Sequence, residues 1–181
     1  EENGFPWIDF RTTPAVYKDR DGKNGVICVS VAQNSGRNAR FGDSYFYGDP
    51  HNRGRSYHGG DASYTPDSCL YGYNFQEQWD AAVASDADIA MILEWNEWIA
   101  GAWNVEGNCP DKPIAIWDCL DTEYSRDIEP MRGGYFDNYY LQMVSNIRRF
   151  KGTEPTVVQS GSRTIDIGGS FDQWEGVDIT Y

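Results

Sequence analysis

Basic residues and long apolar runs are both scarce in this chain of 181 residues. It has 15 Lys and Arg against 28 Asp and Glu, so its formal net charge is −13. That charge repels phosphate backbones and anionic membrane surfaces, so we expect no nucleic-acid partner. No apolar run approaches the roughly 20 residues that a membrane-spanning helix needs, so we expect no membrane insertion.

Recognisable metal-binding patterns are also lacking. The two histidines, His51 and His58, are not spaced for a zinc site with the 4 cysteines, and no Cys-x-x-Cys pair occurs. We therefore expect neither a metal nor another cofactor. A bridge between Cys69 and Cys109, which fall in predicted loops, is the favoured pairing, whereas Cys28 lies in a predicted strand and is expected to be a buried thiol.

Aromatic residues are abundant by contrast, with 7 Trp, 12 Tyr and 8 Phe. Large rings fill protein cores well, which is their ordinary structural role. In a chain with only 40% hydrophobic residues, many rings must also lie near the surface. The composition therefore indicates a globular chain, large enough for one domain with a core, that offers rings for ligands to stack on.

One apolar run ends abruptly in acids, an amide and indoles. Residues 89–93 predict a strand buried on both faces. The residues that follow it are Glu94, Trp95, Asn96, Glu97 and Trp98. Polar groups at the C-terminal end of a buried strand build sites in α/β barrels and doubly wound sheets. Indoles stack on sugar rings and acids and amides bind hydroxyls, so we expect a sugar site here; the alternative is a core strand that runs into a solvated loop.

The segments before this run predict a strand–helix–strand unit. Val26–Gln33 is nearly continuous and β-branched, as in a covered parallel strand. A helix is predicted from Asn74 to about Ser85, with Asn74 as its N-cap and Glu77 completing a capping box. The two strands should then be parallel, joined by a right-handed crossover.

A long polar loop, residues 34–73, follows the first predicted strand. Loops of this length are uncommon and usually functional. In a parallel unit this loop lies at the same edge as residues 94–98. Arg55 and His58 are therefore candidate substrate contacts, although ordinary loop polarity explains each of them alone.

The remaining segments are irregular apart from one helix. Residues 1–25 and 99–132 show little pattern, except for a short strand or hairpin near 113–118. The cluster at 125–130 combines Arg126 with Asp127 and Glu129, and fits either a salt-bridged loop or a site. Residues 137–150 predict a helix that Gly152 ends. Its apolar stripe comprises Tyr140, Met143, Val144 and Ile147.

The order of these motifs resembles the end of a (β/α)-barrel glycoside hydrolase. Trp95-Asn96-Glu97-Trp98, then Ile128-Glu129-Pro130 and a tyrosine-rich helix, is similar to the endo-α-mannosidase-like enzymes and their WbsX-like relatives. Secreted bacterial proteins of this type couple the barrel to a family-9-like carbohydrate-binding sandwich. Residues 163–174 resemble the first strand and turn of that sandwich. The likeness covers most of residues 26–175. It departs from the family at Ala100, where the endo-mannosidases carry a second Glu, and in the insertion from 102 to 125.

The resemblance implies an α/β fold. Residues 1–152 would form the last βα units of a TIM-type (β/α)8 barrel, 153–162 a linker, and 163–181 the start of a β-sandwich, carbohydrate-binding-like module. The rest of a larger chain would then be missing. The protein would be secreted, periplasmic or on the cell surface, and its isolated strand edges would make it unstable or associating.

Glycoside hydrolysis requires two carboxyl groups about the scissile bond. We expect Glu97 to be one and Glu129 its partner, with Asp127 or Glu94 as alternatives. Substrate-binding roles are expected for Trp95, Asn96, Trp98, Glu94, Arg126, Asp127, Arg55 and His58. The alternative function is a non-catalytic extracellular sugar-binding protein. A calcium-binding adhesive protein ranks last because no Asp-x-Asp-x-Asp-Gly loop occurs.

Overall fold

A computed structural model describes residues 13–32, 54–61, 63, 65–96, 102–104, 114–116, 122–123, 125–153 and 164–175. The chain divides into two compact units, Glu1–Lys151 and Gly152–Tyr181. Each unit is described by itself. Neither helix among the described residues is long and apolar enough to cross a membrane.

The larger unit contains a three-stranded mixed sheet. Its strands are β1 (Val16–Lys18), β2 (Asn24–Val29) and β3 (Ile89–Ile92), in the order β1-β2-β3. β2 and β3 are parallel, which confirms the predicted pairing. β1 is antiparallel to β2 and lies in the stretch predicted to be irregular, so that prediction is wrong. Asp19 stabilises the turn between β1 and β2, because its carboxylate accepts hydrogen bonds from the N–H groups of Asp21 and Lys23.

Helix α1 (Tyr73–Ser85) connects the parallel strands, as predicted. The predicted cap is wrong, because the helix begins one residue before Asn74 and no side chain caps it. The Asn74 amide instead donates to the carbonyl oxygen of Val31 at 2.8 Å, just beyond β2. The Glu77 carboxylate accepts from the N–H of Gly59 at 2.7 Å. Both side chains therefore attach the helix start to its surroundings.

Helix α2 (Asn138–Lys151) confirms the second predicted helix. Met143 and Ile147 of the predicted stripe pack against the core, but Tyr139 is fully buried in place of Tyr140, which is 40% exposed. The contact with α1 also includes polar groups, because the side-chain amides of Gln76 and Asn146 exchange two hydrogen bonds of 3.1 Å. The spacing of apolar residues in the sequence does not reveal such a polar contact between helices.

The core lies between the sheet and the two helices. It comprises Ile27, Val29, Val31, Phe75, Trp79, Ala82, Ala87, Ile128, Tyr135 and Tyr139. β3 was predicted to be buried on both faces, but Ile89 is 54% exposed because β3 is the edge of the described sheet. A regular parallel barrel gives each strand two parallel neighbours, and β2 has one parallel and one antiparallel neighbour. The complete barrel stays a prediction.

A separate hairpin lies in the segment after residue 99. β5 (Ile114–Ile116) confirms the short strand predicted within residues 113–118, and it pairs antiparallel with β4 (Ala102–Asn104), which lies in a stretch predicted to be irregular. Cys28 is fully buried in β2, as predicted. Cys69 is a free, buried thiol in a 3-10 helix, Ser68–Tyr71, so the predicted bridge from it is wrong.

The smaller unit is described at residues 164–175. These residues form turns and a 3-10 helix, Phe171–Trp174, where a strand was expected. The Ser170 side chain caps the helix by accepting from the N–H of Asp172. The Gln173 side chain bonds both the N–H and the carbonyl oxygen of Asp166. These local bonds compete with strand pairing.

Candidate functional site

The end of β3 turns sharply into a polar segment. The N–H of Leu93 still donates to Val29 at 2.9 Å, so pairing continues one residue past the strand. Glu94 then adopts a left-handed conformation, with φ of 61°. A residue with a side chain rarely adopts this conformation, and such strain is concentrated at functional positions.

The next residue joins two motifs that are distant in sequence. The carbonyl oxygen of Trp95 accepts hydrogen bonds from the N–H groups of Ile128 at 3.0 Å and Glu129 at 2.9 Å. Trp95 and the Ile128-Glu129 pair are therefore neighbours in space. At the sequence level, only the family resemblance had linked these two motifs.

An ion pair holds the strained residue. The Nε atom of Arg126 lies 2.8 Å from a carboxylate oxygen of Glu94, and these side chains are only 3% and 12% exposed. Because both charges are largely removed from water, losing either one would leave the other poorly compensated. The pair fixes the direction in which the chain leaves β3.

Exposed groups surround this turn. The ring of Trp95 is 43% exposed and meets the ring of Tyr140 edge-on, with centroids 6.1 Å apart. Asn96 is exposed and Glu129 is half-buried. We call Trp95, Asn96, Glu129 and Tyr140 the strand-end site. It combines an indole face with amide and carboxylate groups, which can stack on a ring and bind hydroxyls.

Arg55 contacts the 125–127 segment next to this site and is fully buried. Its guanidinium carbon lies over the rings of Tyr135 and Tyr139, 4.1 and 4.2 Å from their centroids. Its Nη2 atom donates to the Ser125 hydroxyl at 3.2 Å and to the carbonyl oxygen of Asp127 at 2.6 Å. The Nε and Nη1 atoms have no hydrogen-bond partner, and the stacking rings compensate for them as cation–π partners. Arg55 therefore supports the 125–127 segment.

The two tyrosines that contact Arg55 are held in the neutral form. Burial raises the pKa of Tyr135, and the charge of Asp127 raises it further while Arg55 opposes both. Burial also raises the pKa of Tyr139 strongly against the opposing charge of Arg55. The hydroxyl of Tyr135 donates to the carbonyl oxygen of Asp127 at 3.0 Å, and that of Tyr139 donates to Cys69.

Of two buried carboxylates near Arg55, one bonds within its own segment and the other holds the loop that carries Arg55. Asp127 is fully buried and accepts from the Ser125 hydroxyl at 3.3 Å. Glu123, 6% exposed, accepts from the N–H of Ser56 at 3.0 Å and from its hydroxyl at 2.6 Å. A Cβ atom at Gly54 would lie 2.3 Å from a Glu123 oxygen, so a side chain there would displace the Glu123 carboxylate. Sequence reasoning missed Glu123 and Ser56, and no local pattern marks either residue.

His58 lies in a different environment from the strand-end site. It is exposed, its Nδ1 atom is 2.8 Å from the carbonyl oxygen of Ser56, and its ring contacts that of Tyr73. Arg55 and His58 thus belong to the same loop, but Arg55 contacts the 125–127 segment and His58 contacts Tyr73. Glu97 and Trp98 lie outside the described residues.

Among the residues that the structure describes, no group of three or more His, Cys, Asp or Glu side chains is arranged to hold a metal ion. Comparison with protein-family models, with curated proteins and with solved structures finds no match for this chain.

Proposed function

We propose that this chain binds carbohydrate at the strand-end site and hydrolyses glycosidic bonds there. The observation that carries the proposal is the pair of hydrogen bonds from Ile128 and Glu129 to the Trp95 carbonyl oxygen. They bring a carboxyl-bearing residue beside an indole that is 43% exposed. Sugar recognition needs this combination, because a pyranose has apolar C–H faces and a rim of hydroxyls.

The chemistry assigned to the site uses two carboxyl groups. Glu97 follows Trp95 by two positions, and we assign it the role of general acid. Glu129 is its partner, acting as base or nucleophile. Trp95 stacks on the sugar ring, with Tyr140 supporting the indole, and Asn96 binds a hydroxyl.

Glu129 is preferred to the other candidate partners because of their surroundings. Asp127 has no exposed surface and bonds within the core. Glu94 is already engaged by Arg126. Both therefore act as positioning groups in this proposal, together with Arg55.

The proposal also includes a (β/α)8 barrel as the fold and export of the protein from the cytoplasm. The parallel β2–α1–β3 unit, with its polar residues at the C-terminal strand end, is the arrangement on which (β/α)8 enzymes place their sites. An enzyme that acts on polymeric glycans is expected outside the cell or in the periplasm.

The test is a hydrolysis screen against soluble and insoluble glycans, with release of reducing ends as the readout. We expect Glu97→Gln and Glu129→Gln each to lower the rate by about 10²–10⁴-fold, the usual contribution of general acid–base catalysis. The matched control is Asp88→Asn, an exposed carboxylate at the opposite end of β3, which should keep full activity. Full activity of both glutamate variants would contradict the assignment.

Sugar binding without turnover is the second candidate function. It is favoured by the internal engagement of Glu94 and Asp127, two of the carboxylates considered as partners of Glu97. Under this alternative a glycan binds the chain, no reducing ends appear, and Glu97→Gln leaves the affinity unchanged.

A further inference from the structure

Three aromatic rings are in contact where the 54–61 loop, the 3-10 helix and the first residue of α1 meet. The rings of His58 and Tyr73 have centroids 4.3 Å apart and an interplanar angle of 32°. Those of Tyr73 and Tyr71 are 5.4 Å apart at 31°. Rings at these distances form one contiguous aromatic cluster with tilted ring planes, and Tyr73 lies in the middle. We call these three residues the aromatic stack.

Local hydrogen bonds hold both ends of the stack in place. At one end, His58 and Asp61 exchange two backbone hydrogen bonds, and Glu77 of α1 accepts from the N–H of Gly59. At the other end, the Gln142 side chain of α2 donates to the carbonyl oxygen of Gly72, between the two tyrosines, at 2.9 Å. The rings are therefore preorganised.

Burial of apolar surface does not explain why these rings are held in place. Tyr71 is 62% exposed and Tyr73 is 38% exposed, whereas the core tyrosines are fully buried. Fixing exposed rings gains little from removal of apolar surface from water, and exposed apolar surface of this kind often marks a binding site. Tyr71 is the more exposed of the two tyrosines, so its ring is accessible to a ligand.

The charge of the chain narrows the choice of ligand. A formal charge of −13 disfavours nucleotides and other anionic rings. A neutral sugar ring presents C–H groups that pack on an aromatic face and hydroxyls that donate to carboxylates. The Asp61 carboxylate, whose backbone is bridged to His58, bonds the N–H of Ser63, and a carboxylate has further acceptor sites available.

We infer that the aromatic stack of Tyr71, Tyr73 and His58 is a second saccharide-binding surface, with a neutral sugar ring packed on Tyr71. The inference rests on the proposed function and adds a subsite for a longer glycan. It assigns His58 to this subsite, apart from the strand-end residues.

The test is affinity electrophoresis of the full chain in gels that contain neutral polysaccharides, namely mannan, xylan, xyloglucan or laminarin. We expect Tyr71→Ala to weaken retardation by about tenfold and Tyr71→Phe to keep it, because phenylalanine preserves the stacking face. Leu141→Ala, which removes a 56% exposed apolar side chain from α2, is the matched control and should behave as wild type. Circular dichroism checks that each variant is folded.

The outcomes separate this inference from the proposed function. Wild-type retardation in Tyr71→Ala, with a loss in Trp95→Ala, would overturn the inference and leave the strand-end proposal intact. A loss in Tyr71→Ala with no change in Trp95→Ala would support the inference and count against the strand-end site. No retardation of wild type would overturn both. Competition by tetramethylammonium chloride, but not by sodium chloride, would assign the stack to cations and overturn the inference.

Discussion

At the scale of single residues, Arg55 connects the core with the strand-end site. The sequence predicted it as a substrate contact because it lies in a long polar loop at the same edge as residues 94–98. The structure buries it fully against two tyrosine rings. This burial depends on Tyr135, Tyr139 and Ser125, which are distant in sequence, so no local pattern in the loop reveals it.

Replacing Arg55 with methionine should destabilise the protein strongly. The change removes a buried cation, two hydrogen bonds and two ring contacts, and we expect a loss of about 3–5 kcal/mol in the free energy of unfolding. Urea titration followed by tryptophan fluorescence measures it. The control is Arg149→Met, which removes an exposed partner of Asp80 and should cost under about 1 kcal/mol. Equal losses in the two variants would contradict the buried role of Arg55.

Tyr139 should make the protein sensitive to alkali. Burial raises its pKa above the ordinary value of 10.0, so above that pH the unfolded chain releases a proton that the folded chain retains. The stability from this neutral tyrosine is complete below pH about 10 and declines as the pH rises further. We expect Tyr139→Phe to be less stable than wild type at neutral pH by about 1 kcal/mol, because the Cys69 carbonyl loses its donor. Its unfolding free energy should fall less steeply above pH 10, and parallel slopes in a urea series across that range would refute the explanation.

At the scale of elements, periodicity predicted both helices and the parallel strand pair, whereas the helix start was predicted wrongly. Apolar spacing reports which residues contact a core, and that signal is local. The start of α1 depends on Gly72 in a left-handed conformation and on the contact of Asn74 with Val31. Hairpin β1–β2 was missed because a three-residue strand carries too little pattern to recognise.

Gly72 should be intolerant of a side chain. It has a φ of 61°, and a Cβ atom would lie 2.0 Å from the Oε1 atom of Gln142. Gln142 would have to move and lose its hydrogen bonds to the Gly72 carbonyl and to Gln76, so we expect Gly72→Ala to cost about 2–4 kcal/mol. Gly133→Ala is the matched control, because φ is 85° there but no atom lies within 4 Å. It should cost only about 1–2 kcal/mol of backbone strain, and thermal unfolding of both variants compares them.

At the scale of the whole molecule, the sequence predicted the strand–helix–strand order correctly. Of the residues predicted at the strand end, Glu97 and Trp98 lie outside the described ones. Trp95, Asn96 and Glu129 lie together, and the polar motifs at a strand end were a usable signal for this. The buried supports of the site, Glu123 and Ser56, could not be predicted because their burial depends on the long-range packing of the 54–56 loop. The barrel and the sandwich stay predictions.

The exposed edge of the sheet and the charge should act against each other. β3 is an edge within the described sheet, and exposed edges favour association. The net charge of −13 opposes it, and salt screens this repulsion. We therefore expect association to increase with sodium chloride in sedimentation velocity experiments, and Ile89→Lys, a charge placed on that edge, to suppress it. A cooperative monomer at every salt concentration would contradict this expectation.

The most direct test of the central claim is the affinity of wild type and Trp95→Ala for neutral glycans, measured by isothermal titration calorimetry with a panel of oligosaccharides. If the strand-end site binds sugar, at least one oligosaccharide binds wild type and its affinity falls by about tenfold or more in Trp95→Ala, while Leu141→Ala binds as wild type. Unchanged affinity in the Trp95 variant, or no binding of any glycan by the folded wild-type chain, would contradict the claim that this strand end is a carbohydrate site.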